Sequence, residues 1–132
     1  MLDHSSLPLS QEKRRHLRVD YKIPVKISSD HGEIVTETKN LSCSGAFCQV
    51  ALRLEPMTRL KVHLLLPTRK SNKGTAKKIT CRGVVVRTQE VTGQDYYDTA
   101  IFFSDIASKD SRTISEFVES MIERSNHHGK FN

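Results

Sequence analysis

The sequence predicts an all-β domain that ends in one α-helix, and two periodic patterns lead to that prediction. Between residues 19 and 103, apolar and polar residues alternate in short runs that turn-forming residues separate. Such runs are typical of strands with one buried face. Between residues 114 and 122 the apolar residues instead recur at helical spacing. Six short strands with no helix between them favour an antiparallel barrel or sandwich over a parallel α/β fold.

Turn signals place the six predicted strands along the chain. The first runs from Val19 to Ile27, and Pro24 lies on its polar side. Because proline cannot donate to a strand ladder, this position indicates an edge or a change of pairing partner. Residues 39–45 are a loop by composition. The other strands are predicted at residues 33–38, 46–51, 60–66, 79–87 and 96–103.

The C-terminal region has the pattern of an amphipathic helix. One apolar stripe contains Ile114, Phe117, Val118, Met121 and Ile122. Ser108 or Asp105 could cap the start of the helix, and residues 126–129 are expected to end it. We expect the stripe to close one end of a barrel; a helix that binds a partner is the alternative.

The chain has 132 residues, which is the length of one domain. We expect a flexible leader at residues 1–11, a single domain at residues 12–125 and a C-terminal tail at residues 126–132. The longest apolar run, residues 64–66, is far too short to cross a membrane. The N-terminus has no secretory signal pattern, so the expected compartment is the cytoplasm. The three cysteines contain no C-x-x-C pair and are expected to be reduced.

The positive charge of the chain is concentrated in two segments. The formal net charge is +6, from 21 basic and 15 acidic residues. Residues 11–28 contain six basic and two acidic residues, and residues 68–78 contain five basic residues and no acid. Clusters of this kind are expected in proteins that meet phosphates on a nucleotide, a nucleic acid or a lipid, although many are only solvated surfaces.

No set of residues indicates catalysis, so the sequence predicts that the protein is not an enzyme. It has no glycine-rich phosphate loop, no G-x-G-x-x-G, no H-E-x-x-H and no G-x-S-x-G motif. The six histidines are scattered without metal-ligand spacing, so no metal site is predicted. Asp95 and Asp98 do not form an acid/base pair, because their spacing in an extended segment puts them on opposite faces.

Two segments have the chemistry of an anion-binding and base-binding site. The first, residues 13–18, carries Arg14 and Arg18 four residues apart. Guanidinium groups bind phosphate oxygens and guanine edges bidentately and stack on base planes. The second, residues 40–45, offers an amide, two hydroxyls and Gly45, which lets backbone N–H groups approach a ligand. Each segment alone is a weak signal.

The combination resembles the PilZ domain, whose signature is R-x-x-x-R followed by [D/N]-x-S-x-x-G. Here the pattern is Arg14-x-x-x-Arg18, then Asn40-x-Ser42-x-x-Gly45. The resemblance continues in family order through residues 60–67, 81–87 and 100–103 to the C-terminal helix, and it covers roughly residues 12–122. It implies a six-stranded antiparallel β-barrel capped by an α-helix, and binding of the bacterial second messenger cyclic di-GMP.

The resemblance also implies roles for individual residues. Arg14 and Arg18 would engage the phosphates and guanine edges of the ligand. Asn40, Ser42 and Gly45 would line the barrel surface around a guanine. Three neighbouring residues could contribute although the family motif does not fix them: Lys13, Arg15 and Ser44.

The function that follows is a cyclic di-GMP receptor that changes conformation on binding and signals to a protein partner in trans. Two alternatives remain open at this point. One is a protein-interaction module of the same fold that binds no nucleotide. The other is a basic barrel that binds RNA or single-stranded DNA, although the chain has few aromatic residues for base stacking.

Overall fold

The computed structural model describes residues 17–30, 32–67 and 76–130, and side chains as far as residue 124. Six strands and one helix lie in these ranges. The strands are β1 (Pro24–Ser29), β2 (Gly32–Ser42), β3 (Gly45–Val50), β4 (Arg59–Pro67), β5 (Ala76–Glu90) and β6 (Tyr97–Asp105), and the helix is α1 (Ser108–Lys130). None of the described helical residues forms a segment long and apolar enough to cross a membrane.

The six strands form a closed barrel in the order β1-β2-β3-β6-β5-β4. Every neighbouring pair is antiparallel. Alternate residues of each strand point inward, as the period-2 pattern predicts. On β4, for example, Leu60, Val62, Leu64 and Leu66 are buried while the residues between them face outward. The predicted barrel and its closing helix are confirmed.

Helix α1 packs against its own barrel. Ile114, Phe117 and Val118 are buried in the common core, and Met121 and Ile122 pack against that core. The Phe117 ring meets Tyr21 edge to face, with 5.5 Å between ring centroids. The helix begins at Ser108 and continues through Lys130, so the range predicted as a tail is helical as far as Lys130. A single Gly129 near its end costs about 1 kcal/mol and does not interrupt it.

The predicted first strand is wrong in its boundaries. The strand β1 begins at Pro24, and Val19 instead forms an isolated antiparallel bridge with Leu41 of β2. Both Val19 and β1 lie against β2, and pairing with β4 begins only at Val25, directly after Pro24. Pro24 has no N–H for a ladder and is tolerated as the first residue of a strand. Residues 17–23 therefore form an arm along β2.

The predicted loop at residues 39–45 is also largely wrong. The strand β2 continues through Ser42, and β3 starts at Gly45, so only two residues turn. The predicted leader, residues 1–11, and most of the basic segment, residues 68–75, lie outside the described residues.

Candidate ligand-binding site

The arm of residues 17–23 is fastened to the barrel by backbone and threonine hydrogen bonds. Val19 and Leu41 exchange two N–H···O bonds of 3.0 Å each. Buried Thr38 accepts from the Ile23 N–H at 3.0 Å and donates to the Tyr21 carbonyl at 2.6 Å. These bonds fix where the arm crosses β2, and so they fix the position of Arg18.

Arg18 and Asn40 meet in the folded chain although 22 residues separate them. The Nη1 of Arg18 donates to the Oδ1 of Asn40 at 2.8 Å. Asn40 follows a β-bulge between Thr38 and Asn40 in the pairing of β2 with β3. A bulge changes which way side chains point, and here Asn40 lies beside the guanidinium. The contact joins the two sequence segments that were predicted to bind one ligand.

The turn between β2 and β3 is closed by Ser42. Its side chain is fully buried, and its Oγ accepts from the Ser44 N–H at 3.2 Å and lies 3.0 Å from the Ser44 Oγ. The hydroxyl of Ser42 therefore shapes the turn, and Ser44 is the serine that reaches the surface of the adjoining cavity.

Gly45 allows β3 and β6 to approach each other. A Cβ at this position would lie 2.3 Å from the carbonyl oxygen of Ile101. The neighbouring Ser44 carbonyl accepts from the Phe103 N–H at 2.9 Å, which holds the two strands at that separation. Because the close contact is with backbone, it cannot be relieved by a side-chain rotation, and glycine is required here for packing.

A row of four paired residues crosses the barrel wall beside this turn. Asn40 pairs with Phe47, Phe47 with Ala100, and Ala100 with Arg87. Ala100 has the smallest side chain of the row, so it leaves space between the Phe47 ring and the Arg87 guanidinium. We call these four residues the binding row.

The binding row lies along a cavity of about 410 Å³. Two guanidinium groups, Arg18 and Arg87, and two phenyl rings, Phe47 and Phe102, line it, and no acidic side chain is among its described lining residues. Guanidinium groups bind phosphate oxygens bidentately, and phenyl rings offer faces on which bases stack. The volume lies within the usual range for small-molecule sites. The full lining is Arg18, Asn40, Ser44, Gly45, Ala46, Phe47, Val86, Arg87, Ala100, Ile101 and Phe102.

A second, more open cavity of about 810 Å³ adjoins the first at Asn40 and Phe47. Lys39 lines it, and its Nζ lies 5.6 Å from the Phe47 ring centroid and 4.0 Å from the Asp98 carboxylate. The Asp98 oxygen also accepts from the Gln49 side chain at 2.9 Å. The cation and the ring are thus held next to each other at the edge of the binding row.

The two buried thiols, Cys48 and Cys81, are not poised as nucleophiles. Burial raises the pKa of Cys48 to about 12. Burial, and after it two nearby carboxylates, also raises the pKa of Cys81 to about 12. Both groups are therefore neutral thiols near pH 7. The described residues contain no group of three potential metal-ligating side chains.

The structure brings four of the predicted site residues to one cavity and separates one from it. Arg18, Asn40, Ser44 and Gly45 line the cavity, whereas Ser42 lies buried behind the turn. Lys13, Arg14 and Arg15 lie outside the described residues. Sequence reasoning missed the rest of the lining, including the residues with ligand-binding chemistry on β3, β5 and β6: Phe47, Arg87 and Phe102.

A comparison with protein families assigns the chain. The sequence model of the PilZ domain family matches residues 12–120. The chain belongs to the PilZ family. The match includes both segments of the predicted signature and all six strands, so the resemblance inferred from those residues is confirmed. Among curated proteins, no sequence matches this PilZ chain.

Solved structures share this PilZ fold. The Bacillus subtilis inhibitor of motility, MotI/DgrA, has a TM-score of 0.72 at 22% identity, covering 87% of this chain and 52% of its own. The K. pneumonia MrkH complex with c-di-GMP has a TM-score of 0.66 at 16% identity, covering 86% and 54%. The Escherichia coli YcgR PilZ domain with c-di-GMP has a TM-score of 0.60 at 10% identity, covering 89% and 98%.

The TM-scores of 0.60 to 0.72, at sequence identities of 10 to 22%, establish a shared fold. The PilZ chain spans about half the length of MotI/DgrA and of MrkH, and almost the whole of the YcgR PilZ domain. The described part of the chain therefore corresponds to one PilZ barrel with its helix.

Proposed function

We propose that this PilZ protein is a receptor for cyclic di-GMP and that it acts by binding, not by catalysis. The observation that supports this most strongly is the contact of Arg18 with Asn40 at the head of the binding row. It joins the two halves of the PilZ signature beside a cavity with two guanidinium groups and two phenyl rings. Solved structures of YcgR and MrkH, which share the fold, contain c-di-GMP.

The proposed ligand matches the chemistry of the cavity. Cyclic di-GMP has two phosphodiesters and two guanines. Arg18 and Arg87 would bind phosphate oxygens or the O6 and N7 edge of guanine. Phe47 would offer a stacking face, and Asn40 and Ser44 would hydrogen-bond the base. Ser42 and Gly45 would act through the shape of the turn.

Arg14 would complete the site from the segment that precedes the arm. We propose that this segment folds over the ligand and that a partner protein reads the changed surface. Ordering costs about 1 to 2 kcal/mol per residue, and it offsets part of the roughly 1 to 3 kcal/mol of each bidentate contact. A dissociation constant near the micromolar range, or about −8 kcal/mol, is therefore expected.

The test is isothermal titration calorimetry of the full chain with cyclic di-GMP. GTP and a short RNA serve as controls, each at two salt concentrations. Saturable binding of cyclic di-GMP alone supports the proposal, and the stoichiometry distinguishes one bound ligand from an intercalated pair. Binding of RNA alone, with a steep salt dependence, would favour the nucleic-acid alternative. No heat with either ligand would favour a protein-interaction module.

The residue assignment is tested by Arg18→Ala. We expect at least about a tenfold loss of affinity, equivalent to about 1.4 kcal/mol, and an almost unchanged melting temperature in the absence of ligand, since Arg18 is exposed. Arg53→Ala removes another exposed arginine, one that does not line the cavity. It should leave the affinity for cyclic di-GMP unchanged. Equal affinity in both variants and the wild type would contradict the assignment of Arg18.

A further inference from the structure

A second surface of the barrel is built from positively charged side chains. On β1, β4 and β5 the residues that alternate with the buried core face solvent, and five of them are cations. We call this surface the basic face, and it consists of Lys26, Arg59, Lys61, Lys78 and Arg82.

Strand pairing brings these cations together. Lys61 pairs directly with Arg82, Lys26 with His63, and Leu65 with Lys78. Directly paired side chains have Cβ atoms about 5 Å apart. The cations therefore form one continuous patch over three neighbouring strands.

The patch has an excess of positive charge. Two carboxylates adjoin it: Glu33, which lies 3.8 Å from Lys26, and Asp105, which pairs with Arg82 in the strand register. Within the described residues, Arg59, Lys61, Lys78 and Arg82 take part in none of the ion pairs. The pKa of His63, which lies among these residues, is lowered first by burial and then by three lysines: Lys78, Lys26 and Lys61.

The centre of the basic face lies across the barrel from the β3 part of the candidate ligand site. In the ring order, β4 lies three strands from β3, which carries Phe47 and Gly45. The two surfaces adjoin at β5, which carries Arg82 on the basic face and Arg87 on the binding row. They are therefore neighbouring surfaces with different side chains.

The composition of the basic face indicates what it binds. None of the residues of β1, β4 and β5 is Phe, Tyr or Trp. One ring borders the face, Phe102 of β6, which lines a recess with Arg59, Lys61 and Arg82. The face therefore lacks the series of rings on which successive bases of a single strand stack. It does carry Leu65, which is 43% exposed beside Lys78. Clustered cations with an exposed aliphatic side chain match an anionic lipid surface, which attracts lysine and arginine without base contacts.

We propose that the basic face binds the headgroups of anionic lipids and docks the barrel on a membrane surface. The attraction is electrostatic and falls with added salt. Docking centred on β4 leaves β3, which carries Phe47, on the side of the barrel away from the lipid. The proposal does not depend on cyclic di-GMP binding.

The test is flotation of the full chain with phosphatidylcholine vesicles that contain about one third phosphatidylglycerol. We expect binding to these vesicles at low salt, release at high salt, and no binding to pure phosphatidylcholine. The double variant Lys61→Glu/Arg82→Glu should lose more than about tenfold of the affinity. A second pair, Lys26→Glu/Lys78→Glu, gives the same test if the first pair fails to fold.

The matched control is Arg53→Glu/Arg124→Glu, which changes the net charge equally at exposed positions outside the basic face. It should bind vesicles almost as the wild type does. An equal loss in the control would overturn the proposal, because net charge alone would explain it. Absence of vesicle binding at low salt would also overturn it, as would tighter binding to a single-stranded RNA of mixed sequence. Titration of the folded Lys61→Glu/Arg82→Glu variant with cyclic di-GMP separates lipid docking from the proposed receptor function. The affinity of this variant for cyclic di-GMP should be unchanged.

Discussion

The binding row and the basic face are two surfaces of one barrel that adjoin at β5, and the same alternation of inward and outward residues makes both. They differ in the size of the outward side chains. On the binding row, Ala100 lies between Phe47 and Arg87, and Gly45 lets β3 and β6 approach closely. On the basic face, long cations such as Lys61 and Arg82 are paired. A small residue between two large ones makes a recess, whereas paired long residues make a charged surface.

The largest effect is expected where the binding wall depends on backbone contact. Gly45→Ala places a Cβ 2.3 Å from the Ile101 carbonyl oxygen, so β3 and β6 must separate. The expected loss is about 3 kcal/mol of unfolding free energy, measured by urea denaturation, together with loss of ligand binding.

Gly83→Ala is the comparison for that variant. Its Cβ would meet the Ile101 Cγ2 at 2.8 Å and the Phe102 carbonyl oxygen at 3.1 Å. The closer contact is with a side chain, and the backbone contact is longer than the 2.3 Å at Gly45. We expect a smaller loss, about 1 to 2 kcal/mol. A loss from Gly45→Ala no greater than that from Gly83→Ala would show that the close approach of β3 and β6 is not rigid.

The next effect concerns the arm that carries Arg18. Thr38→Val keeps the shape of the side chain but leaves the buried Ile23 N–H without the acceptor that Thr38 supplies. The expected loss is about 2 kcal/mol, measured by urea denaturation, with weaker ligand binding because Arg18 is less firmly placed. Thr36→Val removes a single hydroxyl bond, to the Gln49 carbonyl, and should cost about 1 kcal/mol or less. Equal losses would contradict a special role for Thr38.

Filling the recess should abolish the contrast between the two walls. Ala100→Leu puts a branched side chain between Phe47 and Arg87, and we expect at least about a tenfold loss of cyclic di-GMP affinity, about 1.4 kcal/mol. Calorimetry measures it. Thr80→Leu enlarges an outward residue of β5 that pairs with His63 of β4 and does not line the cavity, so it should leave affinity unchanged. Wild-type affinity in Ala100→Leu would place the ligand elsewhere.

The smallest effect is a pH dependence of folding stability that arises from His63 on the basic face. Burial and the neighbouring lysines lower the pKa of His63 below its ordinary 6.5. Below about pH 6.5 the unfolded chain therefore binds this proton more readily than the folded chain, and the stability that neutral His63 preserves is lost as the pH falls. Melting temperatures at several pH values between roughly 7.5 and 5 should fall less in His63→Gln than in the wild type. Identical profiles would show that His63 does not feel the field of the lysines.

Alternation in the sequence was sufficient to predict six antiparallel strands and the helix, because each strand buries one face. It left a barrel and a sandwich open, and the PilZ resemblance selected the barrel. It was not sufficient for the boundaries of the arm. Val19 continues the apolar alternation toward Ile27, yet it makes only an isolated bridge to β2, and pairing with β4 begins at Val25. Strand periodicity specifies which face is buried and says nothing about where a continuous ladder begins.

The same limitation explains which site residues were missed. Arg18 and Asn40 belong to a signature of two short segments, each of which can be read directly from the sequence. Phe47 and Arg87 join them through pairings that two β-bulges shift, one near Asn40 and one between Val85 and Arg87. A bulge changes register by one residue without a clear mark in the sequence, so only the folded barrel shows that these side chains share a cavity.

The closed ring of strands limits how this protein can recognise another one. An open sheet exposes unpaired N–H and C=O groups along its edge, and partners often bind by adding a strand there. In this barrel each of the six strands is hydrogen-bonded to a neighbour on both sides. Where a strand is paired on both sides, a partner has to read side chains, so its specificity there is set by surface residues that can vary without disturbing the backbone ladder beneath them.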